Sequence, residues 1–172
     1  MRWRAAPVRA FAAVLAFVLS GSGLAQPTDT AVKAAFLPRF ARYVTWPPAA
    51  MPKGSNPFVL CVIGGDPFGA MLDQAARSQL IDGRRIVVRR LSSAAGAEDC
   101  EIAFLGSSQP VGDIGARPVL TVTDSAITSE RGIIHFVLSG GRVRFYIDQA
   151  KAAQRGLSIS SRLLALAVGV HQ

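Results

Sequence analysis

The stretch FVLCVIGGDPFGAMLDQAARSQL, residues 58–80, opens with six apolar residues, turns on Gly64 and Gly65, and continues as a helical pattern. An unbroken apolar run bounded by Pro57 and two glycines is the pattern of a strand covered on both faces. After it, Asp66 is placed to cap a helix and Pro67 to occupy its first position. RRIVVRRL (84–91), CEIAFLGSS (100–108) and VLTVTDS (119–125) read as three further strands. The order predicts an α/β fold, a mainly parallel sheet flanked by helices with a C-terminal β-hairpin and helices, in a single domain.

The flanks fit that plan. Asp29 or Thr30 is placed to cap a helix in which Val32, Ala35, Phe36, Phe40, Tyr43 and Val44 recur at helical spacing. Pro38 predicts a kink or a late start near Arg39, and the prolines at 47, 48 and 52 end the helix. QPVGDIGARP (109–118) is too short and broken for a crossover helix and reads as an irregular loop. GIIHFVLSGGRVRFYID sets two β-rich runs either side of Ser139-Gly140-Gly141, a hairpin pattern. A helix from Asp148 to Arg155 stops at Gly156, and a second begins near Ser158, with Ser158 or Ser160 as cap.

The first residues are not fold. MRWRAAPVR is basic, AFAAVLAFVLSGSGLA is apolar, and small residues at Gly23 and Ala25 offer a cleavage point, so residues 1–25 read as a secretory signal and 26–172 as the domain. The apolar run LLALAVGV is too short to span a bilayer, so no membrane insertion is expected after cleavage. Loss of Arg2, Arg4 and Arg9 leaves 16 basic against 11 acidic residues. Such a balance favours anionic partners without naming one, and export argues against nucleic acid. Cys61 and Cys100 are the only cysteines. In an oxidising compartment they favour a disulfide, two buried thiols being the alternative.

Little points to catalysis. GGDPF at 64–68 resembles the GGDEF signature of diguanylate cyclases, but Pro67 stands where that motif has its glutamate. His135 and His171 have no nearby cluster of ligands, so neither reads as metal-binding. G-x-S-x-G is absent and the serines of SISS read as caps. No catalytic residue, metal or cofactor is expected. Arg84, Arg85, Arg89 and Arg90, with Arg77 near, read as an anion patch or as cover for a sheet edge, the second being favoured.

VKAAFL with RFARYVTWP, FVLCVIGGDPFG, IDGRRIVVRRL, CEIAFLGSS, PVLTVTDS and GIIHFVLSGGRVRFYIDQAKAAQRGLSISSRLLALA follow one another in an order that resembles the YfiR family of periplasmic regulators. The resemblance implies a non-enzymatic exported protein that restrains a membrane-bound diguanylate cyclase through its periplasmic part, and so affects cyclic-di-GMP and biofilm behaviour. It also implies an outer-membrane-linked lipoprotein as a second partner and a homodimer. Cys61 and Cys100 match the family's first cysteine pair. The second pair, expected near the hairpin, is missing, and Pro38 and Asp148 replace the usual aromatic residue and asparagine.

Two surfaces are therefore expected. An apolar partner surface is placed at Leu157, Ile159 and Leu163, with Trp46 as a further contact, although packing at the helix exit is the favoured role for Trp46. A periplasmic small-ligand module is the alternative function, with a crevice at Gly64, Gly65, Asp66 and Phe68 and at the strand ends near Ser107 and Asp124.

Overall fold

The computed structural model describes residues 27–106, 114–115 and 117–172. Residues 1–25, Ser107 and most of the 109–118 segment lie outside the described residues.

Helix α1 spans Asp29–Phe40. Its cap is Thr28, whose hydroxyl accepts from Ala31 N, and not Asp29 or Thr30. The expected late start does not occur: Pro38 lies in the last turn, where the loss of its amide costs a single hydrogen bond, and a 3-10 turn, Ala41–Tyr43, follows. β1 (Val44–Thr45) and β2 (Phe58–Ile63) come next. Helix α2 is Ala70–Arg77 and begins later than expected. Asp66 does not cap it directly; Oδ1 accepts from the N–H groups of Phe68 and Gly69 and so closes the turn ahead of the helix.

β3 (Leu80–Ile81) and β4 (Arg84–Leu91) form an unexpected antiparallel hairpin at Asp82-Gly83. β5 (Ile102–Leu105), β6 (Leu120–Asp124), β7 (Ile134–Ser139) and β8 (Arg142–Asp148) fall within the expected runs. At the β7–β8 turn Gly140 and Gly141 have φ of +58° and +69°, the positive values a two-residue hairpin needs. Helix α3 (Gln149–Gln154) is capped by Asp148, whose carboxylate accepts from Lys151 N. Ser158 lies in β9 (Ser158–Ile159), and Ser160 caps the short α4 (Ser161–Leu164). β10 (Gly169–His171) closes the chain.

The main sheet has eight strands in the order β10-β8-β7-β6-β5-β2-β4-β3. Its parallel core, β4-β2-β5-β6-β7, is a doubly wound order whose topological switch point lies between β2 and β5. Alternate residues of β2 serve two cores: Phe58, Leu60 and Val62 pack in the larger one, while Cys61 and Ile63 join Ala94, Ala97, Ile114 and Val119 in a smaller cluster. Burial on both faces is why the run carries no polar position. Phe40 stacks with Phe36 and packs on Phe136 and Phe145, centroids 5.3–5.9 Å apart, which fastens α1 to β7 and β8. β1 pairs antiparallel with β9 as a separate ribbon.

Candidate functional site

The carboxyl ends of β2, β5 and β6 are where a doubly wound sheet most often binds a ligand. Among the described residues they pack closely. Gly65 and Gly106 meet backbone to backbone, and a Cβ on Gly106 would overlap the Gly65 carbonyl. Phe68 is buried and packs edge-on against Phe104, centroids 4.7 Å apart. Asp66 is engaged by Phe68 N, Gly69 N and Arg90, whose Nε lies 2.7 Å from Oδ2. Burial works against its charge, yet those donors hold the Asp66 carboxyl below the usual range.

Asp124 is engaged as well. Its Oδ2 lies 2.6 Å from Lys33 Nζ, with both side chains buried, and Oδ1 accepts from Ala126 N. Among the described residues, Gly64, Gly65, Asp66, Phe68 and Asp124 turn and brace the chain; Ser107, the remaining residue of the expected crevice, lies outside them.

The residues expected to form the partner surface are buried. Leu157, Ile159 and Leu163 are 4%, 7% and 2% exposed and belong to the larger core. The cause is tertiary: β9 pairs with β1 and carries its neighbours inward. Trp46 is buried too; Nε1 donates to the Glu101 carbonyl at 3.2 Å and the ring meets Phe58 edge-on. Trp46 is thus a core residue that fixes the exit from α1, not an open contact. Exposed large apolar side chains near the C-terminus are Leu166, Val168 and Val170, 57%, 41% and 37% accessible; Met71, Leu80 and Leu138 are exposed elsewhere.

The arginines of β4 have separate tasks. Arg84 Nη2 donates to the Pro52 and Gly54 carbonyls, Arg89 lies 3.8 Å from Asp99, and Arg90 binds Asp66 and Asp73. Hydrogen bonds from Arg90 hold the Asp73 carboxyl below its usual range. The two-residue β3 covers this edge, so the arginines tie loops and α2 to the sheet more than they form one patch.

Cys61 and Cys100 are joined, Cα atoms 5.9 Å apart, closing a separation of 39 residues. His135 is buried, its Nδ1 2.7 Å from Thr123 Oγ1, and burial together with Arg131 lowers its pKa. His171 is exposed on β10. Among the described residues no group of three or more His, Cys, Asp or Glu side chains could hold a metal ion.

Two residues that the sequence reading passed over stand out: Lys33, a lysine buried within a helix, and Glu101, an acid opening a buried strand and only 6% exposed. A charge at an otherwise apolar position was the available clue to both.

No curated protein matches the chain closely enough to serve as a relative. A family model described as YfiR/HmsC-like matches residues 30–168. Because that match takes in the described helices and all but the last strand of the sheet, the chain belongs to the YfiR/HmsC-like family, whose members are periplasmic, non-catalytic regulators acting on diguanylate cyclases.

Proposed function

We propose that this protein is exported through a signal at residues 1–25, and that residues 26–172 repress a membrane-bound diguanylate cyclase by contact with its periplasmic part. The family match over residues 30–168 carries the reading. Three features support it. The Cys61–Cys100 bond suits an oxidising compartment, and no described helix is long and apolar enough to cross a membrane. Leu166 and Val168 before the edge strand β10, and Val170 within it, present an apolar surface of the kind that seats a partner. An outer-membrane-linked lipoprotein that sequesters the repressor, and a homodimer, belong to the same proposal.

The test is cyclic-di-GMP in the native host with and without the gene, together with capture of the exported protein's partners from membrane extracts. A rise on deletion, with a cyclase among the captured proteins, supports repression. An unchanged level with no membrane partner overturns it.

A further inference from the structure

A groove of about 770 Å³ lies at the amino ends of β2, β5 and β6, at the opposite end of the sheet from Gly65 and Gly106. The segment running from Pro47 to Lys53 forms one side, and its apolar wall includes Pro47, Met51, Pro57, Val59 and Pro118. Its size falls within the range of small-ligand sites, roughly 300–1,000 Å³. Deep in its wall lies Glu101.

Glu101 Oε2 accepts from Val59 N at 2.6 Å, the one hydrogen bond the carboxylate takes from another described residue. The charged groups around it are Glu98 and Asp99 from the turn before β5, Arg89 from β4, Arg117 ahead of β6 and Lys53 from the facing segment. Arg89 is directed to Asp99, Arg117 Nε donates to the Ile114 carbonyl, and no described cation forms an ion pair with Glu101. A glutamine would accept from Val59 N equally well without the cost of burying an acid. Burial, aided by the Asp99 charge and opposed by Val59 N–H, pushes the Glu101 carboxyl up to about 7. An acid so placed is left one partner short, and the groove gives a partner access to it.

We propose that this groove binds a small amphipathic amine, with its ammonium on the Glu101 carboxylate and its apolar body against Met51 and the prolines. The ammonium supplies the missing cation and draws Glu101 into its ionised form, while Met51 adapts to the apolar part. The site is independent of the cyclase reading: it uses neither the exposed C-terminal edge nor the family match.

Benzylamine and benzyl alcohol, equal in shape and different in charge, test it on the intact exported protein. Binding is followed by the Val59 amide and by the indole N–H of Trp46, which donates to the Glu101 carbonyl. Loss of one charge-assisted hydrogen bond predicts benzylamine at least about tenfold tighter than the alcohol, and a loss of about tenfold in Glu101→Gln. In the wild type, benzylamine affinity falls as pH drops from 8 to 5.5, a change that Glu101→Gln abolishes. The proposal is overturned if the alcohol binds as well as the amine, if Glu101→Gln binds benzylamine unchanged, or if millimolar benzylamine moves neither resonance. The comparison of the two probes needs only the wild type, so it holds even if the variant folds poorly.

Discussion

Lys33 Nζ lies 2.6 Å from Asp124 Oδ2, which ties the first helix to the carboxyl end of a central strand inside the core. The two residues are 91 positions apart, and each satisfies a charge that the other would leave buried alone. Removing one partner of a buried pair typically costs about 3–5 kcal/mol, most of it the stranded charge. Lys33→Met is therefore expected to lower unfolding free energy by about 3 kcal/mol. Lys33→Met with Asp124→Asn, which keeps the acceptor for Ala126 N, should recover a large part of that loss. Urea denaturation of both variants checks it; a double variant no better than the single one excludes this account.

Glu101 sets a pH dependence with a definite sign. Its folded pKa, about 7, lies above the ordinary 4.5, so the native state holds the proton more tightly. The stabilisation from protonation is complete below about 4.5, fades as pH rises towards 7, and is gone above it. His135 acts oppositely below 6.5, since burial favours its neutral form. The quantity to measure is thus the difference in stability between wild type and Glu101→Gln from pH 4 to 8. It should shift in favour of the variant as pH rises, and a flat difference would contradict the assignment.

The Cys61–Cys100 bond closes a 39-residue separation. The chain-entropy model assigns such a loop about 4 kcal/mol. Reduction, or replacement of both cysteines by alanine, should lower the urea midpoint accordingly, and mass spectrometry of the exported protein should find no free thiol.

Gly106 and Gly140 separate two reasons for glycine. At Gly140 a Cβ meets nothing within 4 Å, and only the positive φ opposes it, so Gly140→Ala should cost about 1–2 kcal/mol. At Gly106 the added carbon would overlap the Gly65 carbonyl, so backbone must move. Gly106→Ala should cost about 3 kcal/mol or more. Equal losses in thermal melts would mean that the two strand ends are not packed as described.

If the exposed C-terminal edge is the partner surface, Leu166→Glu and Val168→Glu should leave stability within about 0.5 kcal/mol and abolish repression of cyclic-di-GMP output. Leu163→Glu, in the core, should lose both. Intact repression in the two surface variants would remove that edge from the interface.

The α/β class, the apolar β2, the Gly140-Gly141 hairpin and the helix opening at Asp148 were all legible in the chain, because alternation, helical pattern and turn residues act over a few neighbours. The Cys61–Cys100 pairing was legible from the count of cysteines alone. Which apolar residues face solvent was not legible: Leu157, Ile159 and Leu163 are as apolar as Leu166 and Val168, and pairing of β9 with the distant β1 separates buried from exposed. The same holds for the close approach of Gly65 and Gly106, for Lys33 meeting Asp124, and for Glu101 at the edge of a groove. Each depends on residues about 40 or more positions apart. Local pattern specifies an element and its two faces; the packing of remote elements decides which face water reaches and which charge finds a partner.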